Sequence, residues 1–158
     1  MNLTDQPQPR LDYAAAAPEE VRAVFALEKH SRASGLEKSL LELVRLRASQ
    51  INGCAYCVDL HTRDMRAAGE DERRLQTVVV WREVALFTPR ERAALAWTEA
   101  VTLIASSHVP DEVYEEARKH FSEKELVDLT LAIVTINGWN RISIATRAQP
   151  HVKSAKAA

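Results

Sequence analysis

Apolar residues recur along most of this chain every three to four positions, the spacing that gathers them on one face of an α-helix. From Pro18 to about Ser31, Val21, Val24, Phe25 and Leu27 mark one such face, and Leu36, Leu40, Leu43, Val44 and Ile51 mark the next. Asn52-Gly53 ends that second helix, because both residue types tolerate the left-handed conformation that closes helices. A third helix begins at or just after Cys54 and runs to Gly69, and Asp71 caps a short helix reaching toward Trp81. Thr88, Pro89 and Glu91 combine an N-cap hydroxyl, a proline at the first helical position and a capping-box carboxylate, a strong start signal. The helix opened there carries Ala93, Ala96, Trp97, Ala100, Val101 and Ile104 on one stripe. Pro110 starts a further helix to Phe121, and Ser122 with Glu125 supplies a second capping box for a long last helix to about Arg147.

Residues 126–136 are rich in β-branched side chains and nearly all apolar, so periodicity alone is compatible with a buried strand. The capping box and the absence of Gly or Pro before Gly138 favour helix, and all-round apolarity suits a helix at the centre of the molecule or against another subunit. The expected fold class is all-α: one domain of about six to eight helices, with a CxxC at a helix N-terminus. Residues 1–17, with two prolines and an Ala-rich end, read as an extended lead-in, 18–150 as the helical domain and 151–158 as a flexible tail.

Composition narrows the function classes. A chain of 158 residues is long enough to bury a core without disulfide staples, and four Gly and six Pro are too few for a turn-rich β fold. Lys and Arg total 21 against 22 Asp and Glu, interspersed, so no basic stripe is available for nucleic acid or anionic lipid. The start lacks the charged-then-apolar pattern of a secretory leader, and the longest apolar run, LTLAIVTI, is too short to span a bilayer. The expected setting is cytoplasmic, where a CxxC serves catalysis or metal binding rather than a structural disulfide.

The stretch GCAYCVDLH holds both cysteines of the chain and one of its five histidines. On a helix, Cys54, Cys57 and His61 share one face. Cys54 sits at the helix start, where unpaired N–H groups and the positive end of the dipole favour thiolate over thiol, and Cys57 is close enough to trap an oxidised form as a disulfide. His61 lies one turn beyond Cys57, placed to accept or return a proton. An antiparallel hairpin turning at Asn52-Gly53 sets Glu42 roughly level with residue 63, close to one turn from His61, as an orienter or proton shuttle. Alternatively, Glu42 pairs with Arg45 or Arg47 on its own helix. His30, His108, His120 and His151 stand among charged or loop residues and read as solvated side chains.

Glu42, eleven residues, Cys54, two, Cys57, three, His61: this pattern resembles the core of the alkylhydroperoxidase D (AhpD)-like proteins of the carboxymuconolactone decarboxylase superfamily. LVRLRASQINGCAYCVDLHTRDMRAAGE is similar to that family's helical hairpin, within a core of about residues 38–85, and NGWNRISIATR resembles its C-terminal stretch. The resemblance implies a helical subunit assembling as a homo-trimer or homo-hexamer, and a peroxidase reducing organic hydroperoxides or hydrogen peroxide without a cofactor. In the family's scheme Cys57 attacks the peroxide, Cys54 resolves the sulfenic acid, Glu42 and His61 form the proton relay, and a dihydrolipoyl or thioredoxin-like thiol partner restores the dithiol. The better-studied peroxidases carry histidine before the second cysteine; here Tyr56 can donate a hydrogen bond but does not titrate near neutrality.

Other readings of the same residues are two buried packing cysteines, or a zinc site of Cys54, Cys57 and His61 with Glu42 or water as fourth ligand. Ring-opening or decarboxylation, as in superfamily members that lack the CxxC, and a redox-sensing or interaction protein of low turnover, complete the set. Trp81, Trp97 and Trp139 read as core or interface packing, and Asn137, Asn140 and Arg141 as structural or interface residues that must find polar partners after a buried helix.

Overall fold

The computed structural model describes residues 7–150, all of whose regular structure is helical. The expected flexible tail at 151–158, with His151, and the first six residues of the lead-in lie outside the described residues. The order is α1 (Tyr13–Ala16), α2 (Pro18–Arg32), α3 (Lys38–Asn52), α4 (Ala55–Ala67), α5 (Glu72–Thr77), a 3₁₀ helix (Val78–Glu83), α6 (Pro89–Thr102), α7 (Ile104–Ser107), α8 (Asp111–His120) and α9 (Glu123–Thr146).

Both capping boxes form: the Thr88 and Ser122 hydroxyls accept the N–H groups of Glu91 and Glu125, and those carboxylates accept the Thr88 and Ser122 N–H groups. Residues 126–136 are accordingly helical, inside a 24-residue α9 that packs against α2, α3, α4, α6 and α8. Leu129, Ala132 and Ile133 on α9 are fully buried beside Leu40, Leu41 and Val44 of α3 and Ala94 of α6. Each large aliphatic side chain removed from water there contributes about 1.5–3 kcal/mol. A second cluster joins Leu43 and Leu46 of α3 to Met65, Leu75, Val78, Trp81, Phe87 and Leu95.

Three local expectations are corrected. Tyr13–Ala16, inside the segment expected to be extended, is a single helical turn whose first N–H groups, those of Ala14 and Ala15, donate to the Asp12 carboxylate. The helix capped by Asp71 does not run as an α-helix to Trp81; it tightens at Val78, and Val80 is non-helical, where three consecutive valines crowd the preceding turn. Ile104 does not continue the α6 stripe, because α6 stops at Thr102 and Ile104 opens α7, exposed.

The hairpin of α3 and α4 positions the chemistry. Gly53 closes α3 at φ +70°, a left-handed conformation in which a β-carbon is strained. Its N–H donates to the Gln50 carbonyl and that of Cys54 to the Ser49 carbonyl, so α4 starts immediately and folds back along α3.

Candidate active site

Cys54 is the N-cap of α4, and its sulfur accepts the Cys57 backbone N–H at 3.4 Å. The two Sγ atoms lie 2.7 Å apart as free cysteines. They form, with Ala48 and Ile136, a third buried cluster flanked by Tyr56 and Trp139. Cys54 is 1% exposed and Cys57 3%. A helix start by itself leaves a side chain open to solvent, but here α9 covers both sulfurs.

The hydrogen bond from Cys57 to Cys54, opposed by burial and aided by the Cys57 N–H, holds the Cys54 thiol down at about 7 against an ordinary 9.0. The same hydrogen bond, with burial and the Cys54 charge, pushes Cys57 strongly upward. Above about pH 7 the pair therefore shares one negative charge, drawn toward Cys54, and one proton, drawn toward Cys57. Two residues of α9 that sequence reasoning did not attach to the thiols reach them. Asn140 and Ser143 both favour the charged forms, and Ser143 Oγ lies 3.9 Å from Cys57 Sγ. Asn140 Nδ2 donates to Ser49 Oγ at 3.0 Å, while its Oδ1 accepts from Asn52 Nδ2 at 2.9 Å. No periodicity flags a hydroxyl or amide for this role; the only signal was that polar groups on an apolar helix need partners.

Glu42 and His61 are in direct contact, Oε2 to Nδ1 2.8 Å. Glu42 makes the alternative pairing as well: Oε1 accepts from Arg45 and Arg32, each at 2.9 Å, whereas Arg47 bonds Glu99. Burial would raise the Glu42 carboxyl, but the His61 hydrogen bond and the charges of His61, Arg45 and Arg32 hold it at about 2. An ionised Glu42 accepts, so His61 Nδ1 carries the hydrogen and Nε2 is left for the cavity. Arg45, 1% exposed, is tied between Glu42 and Glu28.

Cys57 and His61 line one cavity of about 200 Å³, walled by Tyr13, Phe25, Leu60, Ile136 and Trp139, with Glu28 and Arg32 beside them. The Phe25 and Trp139 rings meet at 4.9 Å between centroids. Trp139 is thus a pocket wall as well as packing, and Tyr13 arrives from α1, held near by Arg10, whose N–H donates to the Thr146 carbonyl. Trp81 and Trp97 are buried in the core, and His30 and His108 are exposed.

The alternative zinc reading does not find its ligands together. Among the described residues, the His, Cys, Asp and Glu side chains whose ligand atoms fall within 4.8 Å of one another are Glu42, His61 and Asp64, not the set of Cys54, Cys57 and His61. Both Glu42 oxygens are already engaged, one by two guanidinium groups, which repel a cation.

A model of the carboxymuconolactone decarboxylase family matches residues 18–100. YdfG of Bacillus subtilis (strain 168), itself uncharacterised, is 45% identical over 136 residues, 86% of this chain and 92% of that protein. Alkyl hydroperoxide reductase AhpD of Bradyrhizobium diazoefficiens is 49% identical over 45 residues, 28% of this chain and 25% of that protein. Among solved structures, ATU0492 of Agrobacterium tumefaciens is a protein of unknown function ascribed provisionally to antioxidant defence as AhpD. It superposes with a TM-score of 0.90 at 46% identity, over 92% of this chain and all of that one. The apo debrominase Bmp8 has a TM-score of 0.79 at 20% identity, over 87% of this chain and 74% of its own, a likeness of fold alone.

Proposed function

The chain belongs to the carboxymuconolactone decarboxylase family, among its AhpD-like members, and from that premise we propose that it is a thiol-dependent peroxidase. It reduces organic hydroperoxides or hydrogen peroxide through a dithiol/disulfide cycle at Cys54 and Cys57. The observation that carries this reading is two buried sulfurs 2.7 Å apart, one of them sharing a cavity with an imidazole that a carboxylate holds at 2.8 Å.

Peroxide enters the cavity beside Cys57. The Cys57 thiol gives its proton to His61 and its sulfur attacks the distal peroxide oxygen; the O–O bond breaks, and the departing alkoxide takes that proton and leaves as alcohol. Cys57 is now a sulfenic acid. Cys54, already a thiolate, attacks the Cys57 sulfur, forms the S–S bond and expels hydroxide, which leaves as water with a proton drawn from solvent through His61. Glu42 keeps the imidazole in one tautomer and stabilises its charged form. The disulfide is then reduced by a thiol donor, dihydrolipoyl or thioredoxin-like, with Cys54 as the sulfur attacked.

The resting charge on Cys54 makes that sulfur a ready resolver and leaves Cys57 needing the histidine as base. Tyr56, where the better-studied peroxidases have histidine, concentrates that duty on His61. The account includes a homo-trimer or homo-hexamer in the cytoplasm: Val127 and Val134, two turns apart on α9, are 67% and 51% exposed, and Val134 shares a surface groove with Ile104. Among the described residues no helix is long and apolar enough to cross a membrane.

Mixing reduced protein with cumene hydroperoxide tests the reading. Both thiols are consumed and an intramolecular disulfide forms; thiols that persist at peroxide levels sufficient for ordinary peroxidases overturn it. Stoichiometric zinc lost in Cys57→Ala would favour the metal reading instead.

A further inference from the structure

The two sulfurs face different spaces. Cys57 lines the aromatic cavity with His61, and Cys54 does not. Cys54 lines a second recess of about 150 Å³, bounded by Gly53, Ile144, Arg147 and Ala148, which neither Cys57 nor His61 reaches. Tyr56 and Ser143 border both spaces and form the wall between them.

Thiol–disulfide exchange has a directional requirement: the attacking thiolate approaches one sulfur along the extension of the S–S bond, on the side away from the leaving sulfur. Attack on Cys54 therefore comes from the side opposite Cys57. We infer that the recess beside Cys54 is a separate entrance for the reductant, and that it takes a slender dithiol, free or on a flexible arm, while peroxide uses the aromatic cavity. The inference rests on the dithiol cycle proposed above.

Burial selects the class of reductant. With Cys54 1% exposed in a recess of about 150 Å³ lined by Ile144 and Ala148, the attacking sulfur has to be carried in on a narrow chain, which an alkyl dithiol provides and a thiol fixed on the convex surface of a folded partner does not. Arg147 adds a cation on the approach, which favours the thiolate form of the incoming group. The step balances without a further reagent. The first thiolate bonds to Cys54 and expels Cys57 thiolate, which takes a proton from His61. The second thiol of the same molecule then gives its proton to solvent in the open recess, attacks its own mixed disulfide, closes a ring and releases Cys54 thiolate, while His61 regains its proton from solvent. Two thiols on one molecule make that release intramolecular, so the mixed disulfide does not accumulate.

The test separates the half-reactions. The disulfide is first formed with diamide, so the reductive arm reports even if no peroxide reacts, a result that would sink the peroxidase reading alone. Ala148→Trp and Ile144→Trp, checked for native helicity, slow reduction by dithiothreitol by roughly tenfold or more while leaving oxidation by hydrogen peroxide within about twofold of wild type. Leu60→Trp does the reverse with cumene hydroperoxide. Reduction that stays within about twofold of wild type in both recess variants, or that Leu60→Trp slows as much as they do, overturns the inference.

Discussion

Glu42 Oε2 and His61 Nδ1 meet at 2.8 Å across the α3–α4 hairpin, nineteen residues apart in sequence, and the same carboxylate is clamped from its other oxygen by Arg32 and Arg45. Its pKa is depressed from 4.5 to about 2, so the linkage has one sign: the contribution is fully present above about pH 4.5 and is lost as pH falls toward 2. The depression corresponds to about 3 kcal/mol as an order of magnitude. Urea unfolding from pH 6 down to pH 2.5 is expected to show wild type losing stability more steeply than Glu42→Gln, with the two curves converging at the acid end. Parallel curves would mean that Glu42 is not held ionised.

The charge on the dithiol is a second measurable. Alkylation of Cys54 by iodoacetamide is expected to follow a midpoint near 7 in the reduced protein, since Cys57 donates to that sulfur. In Cys57→Ala that donor is gone and the midpoint moves up toward the ordinary 9.0. A midpoint that does not rise would assign the depression to the helix terminus rather than to Cys57.

Arg45 is a buried cation between Glu28 and Glu42. Arg45→Ala leaves two carboxylates under-compensated and is expected to destabilise by about 3–5 kcal/mol. Arg45→Lys recovers only part of that, because a single ammonium does not bridge both acids with the guanidinium's fork. Chemical denaturation of the three proteins checks the order.

The helices, both capping boxes and the Gly53 turn were legible in the sequence because each is a short-range event: a period, an N-cap oxygen, a residue that tolerates positive φ. Glu42 was legible for the same reason, since a tight hairpin converts sequence distance into spatial level. Ser143 and Asn140 were not, because their approach to the thiols depends on how α9 crosses the hairpin, which no local pattern encodes. Burial of Cys54 escaped for the same cause: a helix N-terminus alone looks open, and here α9 lies over it. The valine run at 78–80 and the break before Ile104 show packing preferences of single side chains overriding an otherwise helical period.

Assembly is read on α9. Val134→Asp puts a charge into the exposed apolar face shared with Ile104 and is expected to shift light scattering from a trimer or hexamer to monomer without loss of helicity. A wild-type protein that scatters as a monomer contradicts the proposed assembly.

The central claim is that the two sulfurs pass electrons to a peroxide. Reduced protein mixed with one equivalent of cumene hydroperoxide, quenched and weighed intact by mass spectrometry, is predicted to lose two hydrogens as the Cys54–Cys57 disulfide forms, with one cumyl alcohol released per chain. Cys54→Ser is predicted to stop at a dimedone-trappable sulfenic acid on Cys57. An unchanged mass with both thiols still alkylatable would contradict the account.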